Sequence, residues 1–306
     1  PGTVVTVRGH IAVVIPCYRV RDQILAVLQG VGPEVAAIYV VDDDCPEGTS
    51  GLVREQCHDT RVRVCVHDFN QGVGAAVMTG YRAALNDGAT IIVKLDGDGQ
   101  MDPAEIPKLV APIVQGHADY VKGNRFFSLA GLGGMPIVRI VGNAALSFIT
   151  KFSSGYWDVF DPTNGYTAIH GIVARLLPFD RLAPRCFFES DMLCQLGLLR
   201  AVVRDVPIAA RYGHETSGLS VTNALVRFSA KHSANTVRRI FYNYFLRDFS
   251  IASVELALDV PLIAFGAIFG TAQWVEWSSR GVGAYAGTVM LAALPIILGV
   301  QLLLAF

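Results

Sequence analysis

Two acidic residues stand one position apart, directly after an apolar run in the first third of the chain. Asp96-Gly97-Asp98 follows the segment Thr90 to Leu95, whose composition is typical of a buried strand. Two carboxylates at a strand-to-loop turn can both reach one divalent cation, and their hard oxygen atoms suit magnesium or manganese. Such a cation could neutralise a diphosphate leaving group. A solvated acidic turn is the alternative interpretation, because acidic pairs are common in loops.

Other polar residues follow predicted strands in the same way. Strands are predicted at Ile11 to Ile15, Ala37 to Val41, Arg61 to Val66 and Val202 to Ala209, with another just before Arg125. Helices are predicted at Asp22 to Gln29, from the 70–74 loop to Asn86, at Met135 to Lys151 and at Phe187 to Leu199. Strands that alternate with helices predict a doubly wound α/β sheet. Ligands bind such sheets at the carboxyl ends of the strands. Because Pro16, Asp42, Asn70 and Asp96 all follow predicted strands, we expect one site to contain them.

The last part of the chain differs sharply in composition. The chain has 306 residues, of which 52% are hydrophobic, and from Ile251 onward it is almost wholly apolar. Leu256 to Gln273 and Tyr285 to Phe306 are each long enough to cross a bilayer, and Trp274 to Gly283 between them resembles an interfacial belt. The basic amphipathic stretch Val221 to Arg247 is typical of a helix on an anionic membrane surface. A buried helical hairpin is the alternative.

These patterns predict three parts: a cytoplasmic α/β catalytic domain over residues 1–220, interfacial helices over 221–250, and two transmembrane helices over 251–306. The net charge of −1 shows no global attraction to nucleic acid. The six cysteines form no CxxC pair, so we expect reduced thiols.

Several motifs, in order and spacing, resemble family 2 glycosyltransferases of the GT-A fold. They are Ile15-Pro16-Cys17-Tyr18, Val41-Asp42-Asp43, Asn70-Gln71-Gly72-Val73-Gly74, the stretch from Asp96 to Pro103, Gly123-Asn124-Arg125, Asp161 to Tyr166 and Phe188-Glu189-Ser190-Asp191. The resemblance implies a Rossmann-like mixed sheet flanked by helices. The two apolar spans narrow the resemblance to the polyprenyl-phosphate glycosyltransferases, a group similar to dolichyl-phosphate mannosyltransferase and its bacterial glucosyl and aminoarabinosyl relatives.

The resemblance also implies a role for each matching position. The nucleotide sugar would be bound by Pro16, Tyr18, Asp42, Asp43, Asn70, Gly72, Gly74 and Asp96. A Mg²⁺ or Mn²⁺ ion would be held by Asp96, Asp98 and Gln100. The acceptor phosphate would be bound by Arg125, Arg139 and Asn143, and the catalytic set would be Asp96, Asp98, Arg125 and Asp191. Arg19-Val20 and Val73 depart from the family pattern, which leaves the nucleotide open between uridine and guanosine.

The expected reaction is inverting transfer of a sugar from a nucleotide-diphosphate sugar to a polyprenyl phosphate in the cytoplasmic (inner) membrane. We expect no nucleic acid partner, and a homo-oligomer is left open. One alternative is a hydroxyl acceptor with Asp191 or Glu189 as general base. The other is a catalytically inactive membrane scaffold. A dinucleotide-binding fingerprint is disfavoured because Val77 stands where its third glycine belongs.

Overall fold

The computed structural model describes residues 10–126, 137–161, 164–208 and 221–306, without the side chains of 137–140, 143 and 221–227. Within these ranges the strands are β1 Ile11–Cys17, β2 Val35–Asp42, β3 Val62–Val66, β4 Ile91–Lys94, β5 Tyr120–Asn124, β6 Thr167–His170 and β7 Val203–Pro207. The α-helices are α1 Ile24–Gly30, α2 Thr49–Gln56, α3 Val73–Asn86, α4 Ile106–Val114, α5 Ile137–Ser154, α6 Gly171–Leu176, α7 Phe188–Leu199, α8 Val221–Phe241, α9 Ile251–Ser279 and α10 Ala286–Ala305.

The seven strands form one mixed sheet in the order β3-β2-β1-β4-β6-β5-β7. Strand β6 runs antiparallel to both of its neighbours, and the other pairings are parallel. The chain builds outward from β1 to β3 and then returns to place β4 on the other side of β1. The carboxyl ends of β1 and β4 therefore lie side by side at a topological switch point, where α/β sheets bind ligands.

Helices cover both faces of the sheet, and this explains why β1 is apolar at every position. All seven residues of β1 are buried, with Val14 on the face that packs against α3 and Val13 on the opposite face. A strand with both faces covered carries a continuous apolar run instead of an alternating one. The α/β mixed sheet with flanking helices that the sequence predicts is confirmed.

One strand and three helices escaped the sequence prediction. A strand just before Arg125 was expected and is observed as β5, in which Lys122 and Asn124 are both buried. Strand β6 has only four residues, and helices α2, α4 and α6 are all shorter than ten residues. Trp274 and Trp277 were expected in the connection between the apolar spans, but both lie inside α9, which continues to Ser279.

The described chain separates into two compact units, one ending at Arg239 and the other running from Ile240 to Phe306. The second unit is a hairpin of α9 and α10, with mean hydropathies of 1.9 and 2.3 in their most apolar windows. Both helices are long and apolar enough to cross a membrane. The division at residues 220 and 250 stays a prediction, because helix α8 runs through the boundary between the two units.

Glycines allow the two hairpin helices to approach closely. A Cβ on Gly266 would lie 2.6 Å from the carbonyl oxygen of Ala292, and a Cβ on Gly299 would lie 2.9 Å from that of Asp259. Gly270 follows Gly266 at a spacing of four and faces Ala292 as well. Small residues at this spacing are a common means of packing helices in lipid, where the hydrophobic effect does not drive association.

A glycine also sets the contact between α3 and the sheet, and this contact can be tested. A Cβ on Gly80 would overlap Val14 on β1, so Gly80→Ala should destabilise the first unit by about 1–3 kcal/mol. The matched control is Gly51→Ala in α2, where no atom lies within 4 Å of the new Cβ and alanine favours the helix by up to about 1 kcal/mol. Thermal unfolding of the detergent-solubilised chain should show a lower Tm for the first variant and an equal or higher Tm for the second. Equal Tm values for both variants would contradict this packing.

Candidate active site

A cavity of about 420 Å³ lies at the carboxyl ends of β1 and β4. Its lining is drawn from strand ends and from the loops that follow them. The lining residues are Pro16, Cys17, Tyr18, Val20, Asp43, Asn70, Gly72, Val73, Ala76, Lys94, Asp96, Gly97, Asp98, Gly165, Arg185, Cys186 and Glu189. The structure thus brings together most of the residues that the sequence analysis assigned to the nucleotide sugar, with Asp42 and Gly74 outside the lining.

A larger cavity, of about 610 Å³, lies between α9 and α10. Its lining includes Trp274, Trp277, Thr271 and small apolar residues, and it contains no ionisable side chain. Polar chemistry requires groups that can carry or bind charge, so the smaller, carboxylate-lined cavity is the candidate active site.

Asp42 shapes the turn behind the cavity. Its carboxylate is 2% exposed and accepts hydrogen bonds from the backbone amides of Cys45 and Ser50, both at 2.8 Å. Ser50 lies in the first turn of α2, where an acidic group satisfies amides that have no helical partner. The carboxylate therefore fixes the connection from β2 to α2, and its expected contact with a nucleotide stays a prediction.

Asp43 organises the loop that leads into α3. Its carboxylate accepts hydrogen bonds from the amides of Gln71 (2.9 Å) and Gly72 (2.7 Å), and the imidazole of His67 lies 2.7 Å from the same group. Asn70 donates to the Asp43 carbonyl. Gly72 has φ +102°, in the region that favours glycine. One buried acid thus sets the backbone that faces the cavity.

A buried lysine lies at the floor of the cavity. Lys94 ends β4, its side chain is 2% exposed, and its Nζ lies 3.0 Å from Asp96 and 3.1 Å from Glu189. Burial alone would lower the pKa of this ammonium, but the two carboxylates outweigh burial and raise the pKa above its ordinary value. Lys94 is therefore charged, and it holds Asp96 and Glu189 in fixed positions.

The turn after β4 presents a second carboxylate. Asp98 lines the cavity and accepts a hydrogen bond from the amide of Gln100 at 3.0 Å. Gly99 has φ +75°, which lets the chain reverse at this point. Gln100 itself is not part of the cavity lining. Asp96 and Asp98 therefore both reach the cavity, and the roles of Asp96, Asp98 and Gln100 as metal ligands stay predictions.

Arg125 lies just beyond β5 and forms a bidentate ion pair with Asp161. The two contacts are Nε to Oδ2 at 2.8 Å and Nη2 to Oδ1 at 3.1 Å, and the Asp161 side chain is 1% exposed. Nearby, the buried Lys122 donates to the carbonyl of Asn164. Burial lowers the pKa of Lys122 to about 8, although Asp161 opposes this shift. A partly exposed guanidinium is thus held rigidly by a buried carboxylate.

The other two residues expected at the acceptor phosphate are only partly described. Arg139 and Asn143 lie on helix α5, but their side chains are outside the described part of the structure. The glycine-rich segment between Arg125 and Arg139, residues 131–134, lies outside it too. The convergence of Arg125 and Arg139 on one phosphate stays a prediction.

Asp191 lies behind the cavity wall instead of in its lining. It is 8% exposed, and its two oxygens accept hydrogen bonds from the amide of Ala183 (2.9 Å) and the side-chain amide of Asn235 (3.0 Å). Gly74 faces the same segment, because a Cβ there would lie 2.5 Å from the Ala183 carbonyl oxygen. The structure therefore places both residues where they position the loop that borders the cavity.

Sequence reasoning missed several residues of the site. Lys94 and Gly165 line the cavity, and His67 lies against Asp43 behind it. Arg185 and Cys186 come from a segment in which no motif was recognised. Lys94 carried one usable signal, because a lysine inside an apolar strand must find partners for its charge.

Comparison with known proteins agrees with this geometry. Residues 12–173 match the model of the family described as glycosyl transferase family 2. A relative from Methanococcus voltae, UDP-N-acetylglucosamine–dolichyl-phosphate N-acetylglucosaminyltransferase, is 30% identical over 71% of this chain and 92% of its own length. The undecaprenyl-phosphate mannosyltransferase of Micrococcus luteus is 27% identical over 65% of this chain and 82% of its own length.

Solved structures support the fold. Glucosyl-3-phosphoglycerate synthase from Mycobacterium tuberculosis, crystallised with Mn²⁺ and UDP-glucose, superposes with a TM-score of 0.57. The match covers 76% of this chain and 79% of that one at 21% identity, a level at which the likeness concerns the fold alone. The family match spans more than half of the chain, and the geometry places the family's motifs around one cavity. The chain belongs to glycosyl transferase family 2.

Proposed function

We propose that the chain transfers a sugar from a nucleotide-diphosphate sugar to a polyprenyl phosphate, with inversion at the anomeric carbon. The observation that carries this proposal is the convergence of Asp96, Asp98 and the 70–72 turn on one cavity at the switch point of the sheet. Relatives named for sugar transfer to dolichyl and undecaprenyl phosphates support the choice of acceptor.

The donor site is built for an anion with an aromatic base. Tyr18 is 43% exposed at the cavity and offers a ring face on which a base can stack. Arg185 borders the cavity near Asn70, where its guanidinium can attract a diphosphate. Uridine and guanosine donors both remain within the proposal, and the sugar is left open.

The carboxylates at the cavity fit a divalent cation. Asp96 and Asp98 supply hard oxygen ligands, and within the described ranges no group of three acidic, histidine or cysteine side chains is arranged to hold a metal ion. Magnesium commonly uses one or two carboxylates and completes its shell with phosphate oxygens and water, so two acids suffice. When bound, the cation neutralises charge on the diphosphate as the sugar–phosphate bond breaks. Lys94 keeps Asp96 oriented toward the cavity.

An exposed aromatic surface adjoins Arg125, as a lipid acceptor requires. Phe148, Phe152 and Trp157 are 60%, 50% and 56% exposed. Phe126, the residue after Arg125, packs edge-on against Phe160, and Phe148 packs edge-on against Trp157. Lys151 joins the two pairs, because its ammonium lies over the Phe160 ring and donates to the Trp157 carbonyl. Exposed apolar patches of this kind mark contact with protein or membrane. We infer that the patch contacts the bilayer and places the phosphate of the lipid near Arg125.

The acceptor needs positive charge more than a general base. A phosphate monoester has a second pKa of about 6 and is largely ionised at neutral pH. Arg125 can hold this nucleophile in line with the anomeric carbon. In the hydroxyl-acceptor alternative a base is needed, but both oxygens of Asp191 already accept hydrogen bonds. Glu189, which lines the cavity, is the remaining candidate for that role.

The apolar hairpin anchors this chemistry at a membrane. Lys231, Arg238 and Arg247 are exposed just before α9, and basic residues beside a membrane helix favour the cytoplasmic side. We therefore place the catalytic unit at the cytoplasmic face of the inner membrane. Assembly into a homo-oligomer stays a prediction.

The product distinguishes the proposal from its alternatives. The full chain in detergent, given polyprenyl phosphate, Mn²⁺ and a panel of UDP- and GDP-sugars, should yield a lipid whose mass has increased by one sugar. The sugar phosphate should be acid-labile, because it is a glycosyl phosphate ester. An alkali-stable glycoside on a hydroxyl acceptor would establish the hydroxyl alternative, and no turnover of any donor would favour the scaffold.

Removing one cavity carboxylate should abolish transfer without unfolding the chain. Asp98→Asn loses a charged cation ligand, and we expect kcat/KM to fall by at least about 100-fold, with an unchanged Tm. Asp68→Asn, an exposed acid outside the cavity lining, is the control. Transfer rates and their dependence on Mn²⁺ would be measured for both. A fully active Asp98→Asn enzyme that still requires metal would overturn the assignment of Asp98.

Loss of Arg125 should affect the lipid substrate selectively. Charge-assisted hydrogen bonds contribute roughly 1.5–3 kcal/mol each, so Arg125→Ala should raise the KM for lipid phosphate by about 10–100-fold and leave the donor KM within about twofold. Arg125→Lys preserves the charge opposite Asp161 but not the planar fork of the guanidinium. Its KM for lipid phosphate should therefore lie between those of the parent chain and Arg125→Ala. Arg139→Ala should resemble Arg125→Ala.

The control for these arginine variants is Arg82→Ala, which removes an exposed arginine that pairs with Asp180. Steady-state kinetics with each substrate varied in turn would give both KM values. A donor KM that rises as much as the lipid KM would show that Arg125 does not serve the acceptor.

A further inference from the structure

A short loop, residues 183–187, forms part of the wall of the active-site cavity. Arg185 and Cys186 line the cavity from this loop. The carbonyl of Pro184 accepts a hydrogen bond from the amide of Ala75, in the first turn of α3, at 3.0 Å. A Cβ on Gly72 would lie 2.7 Å from the same carbonyl oxygen. The loop therefore rests directly on the backbone of the proposed donor site.

Helix α8 holds the other side of the same loop. The ring of Phe187 packs against Phe228 at 5.2 Å and His232 at 4.9 Å between centroids, and the ammonium of Lys231 lies 5.2 Å from the centre of the Phe187 ring. His232 is 2% exposed, and its Nδ1 lies 2.8 Å from the hydroxyl of Ser153 on α5. Residues 228–239 of α8 are thus docked on the catalytic unit.

One carboxylate connects this helix to the loop. Asp191, in the first turn of α7, accepts from Asn235 of α8 through Oδ1 and from the amide of Ala183 through Oδ2. The carboxylate is 8% exposed, so water replaces a lost partner poorly. Moving Asn235 away would leave a buried acid half-satisfied and would remove one of the two contacts that fix the carboxylate to which Ala183 donates.

We propose that Asp191 is a positioning residue that ties the wall of the donor cavity to helix α8, so that donor affinity depends on the docking of this helix. Helix α8 ends at Phe241, and the chain continues from there into the apolar hairpin. The helix that leads into the hairpin is thereby coupled to the nucleotide site through the Asp191 carboxylate, beside the Phe187 ring contacts. The identity of the donor rests on the proposed function, whereas the contacts themselves do not.

A pair of substitutions separates positioning from catalysis. Asn235→Asp sets a second carboxylate against Asp191 and should break the link. Adding Asp191→Asn restores it with the polarity reversed, because Asn at 191 can accept from Ala183 and donate to Asp at 235. A general base cannot be rescued in this way, since the double variant has no carboxylate at position 191.

The experiment uses the full chain in detergent with Mn²⁺, and isothermal titration with UDP and with GDP. For the nucleotide that the parent chain binds, Asn235→Asp should raise the Kd by about tenfold. It should raise the donor KM similarly and leave kcat at saturating donor within about twofold. The double variant should return to within about twofold of the parent. Ser233→Ala, an exposed neighbour on α8, should bind as the parent does.

Two results would overturn the inference. The first is an affinity for the nucleotide in Asn235→Asp that equals that of the parent chain. If Asn235→Asp does not fold, Asn235→Ala takes its place, and an affinity equal to the parent's in that variant would also overturn the inference. The second is loss of kcat in Asp191→Asn alone, with unchanged nucleotide affinity and no recovery in the double variant, which would place Asp191 in the chemistry. Nucleotide binding needs no acceptor. Absence of a lipid-linked product would therefore contradict the proposed function without touching this coupling.

Discussion

The ammonium group of Lys94 is buried at the end of a central strand of the sheet. The ion pairs that balance its charge determine how the site is arranged. A buried charge is costly unless it is paired and hydrogen-bonded. Its two partners come from distant parts of the chain, Asp96 from the turn after β4 and Glu189 from the start of α7. Gly165 must approach them without a side chain, because a Cβ there would overlap the Lys94 Nζ. The ion-paired ammonium of Lys94 therefore holds three segments together at the cavity: the turn after β4, the start of α7 and the chain at Gly165.

The acidic residues of the site divide into two groups by what they bind. Asp42, Asp43 and Asp191 are almost fully buried and accept hydrogen bonds from backbone amides. Asp96 and Asp98 are partly exposed and border the cavity. Buried carboxylates must be satisfied by the protein itself, so the first group determines loop shape. The second group retains access to a cation or a substrate.

The two units of the chain differ in how they cover their apolar residues. The catalytic unit buries apolar residues on both faces of a sheet. In the α9–α10 hairpin, by contrast, only 17% of the residues in the most apolar 18-residue stretch of α9 are buried, and only 6% of those in the corresponding stretch of α10. In lipid such surfaces need no protein cover, and close helix contacts come from glycine. Helix α8 belongs largely to the first unit but leads by chain into the second. The proposed link from Asn235 to the donor cavity therefore lies on the helix that leads into the apolar hairpin.

The sequence by itself determined the α/β class, the two apolar helices, and the carboxylate pair at the end of β4. These features are encoded locally, in continuous apolar runs and in the polar residues that end them. The antiparallel strand β6 could not be predicted, because it has only four residues and pairs with β4 and β5, which come much earlier in the chain. The partners of the buried polar residues Lys122 and Asn124 in β5 were likewise hidden, because they are Asn164 and Asp205, about 40 and 80 positions away. The same holds for Asp191, which the motif suggested as a base and which tertiary structure surrounds with Ala183 and Asn235. Whether a carboxylate faces a cavity or a backbone amide depends on which distant segment packs beside it, and that is decided only when the chain is folded.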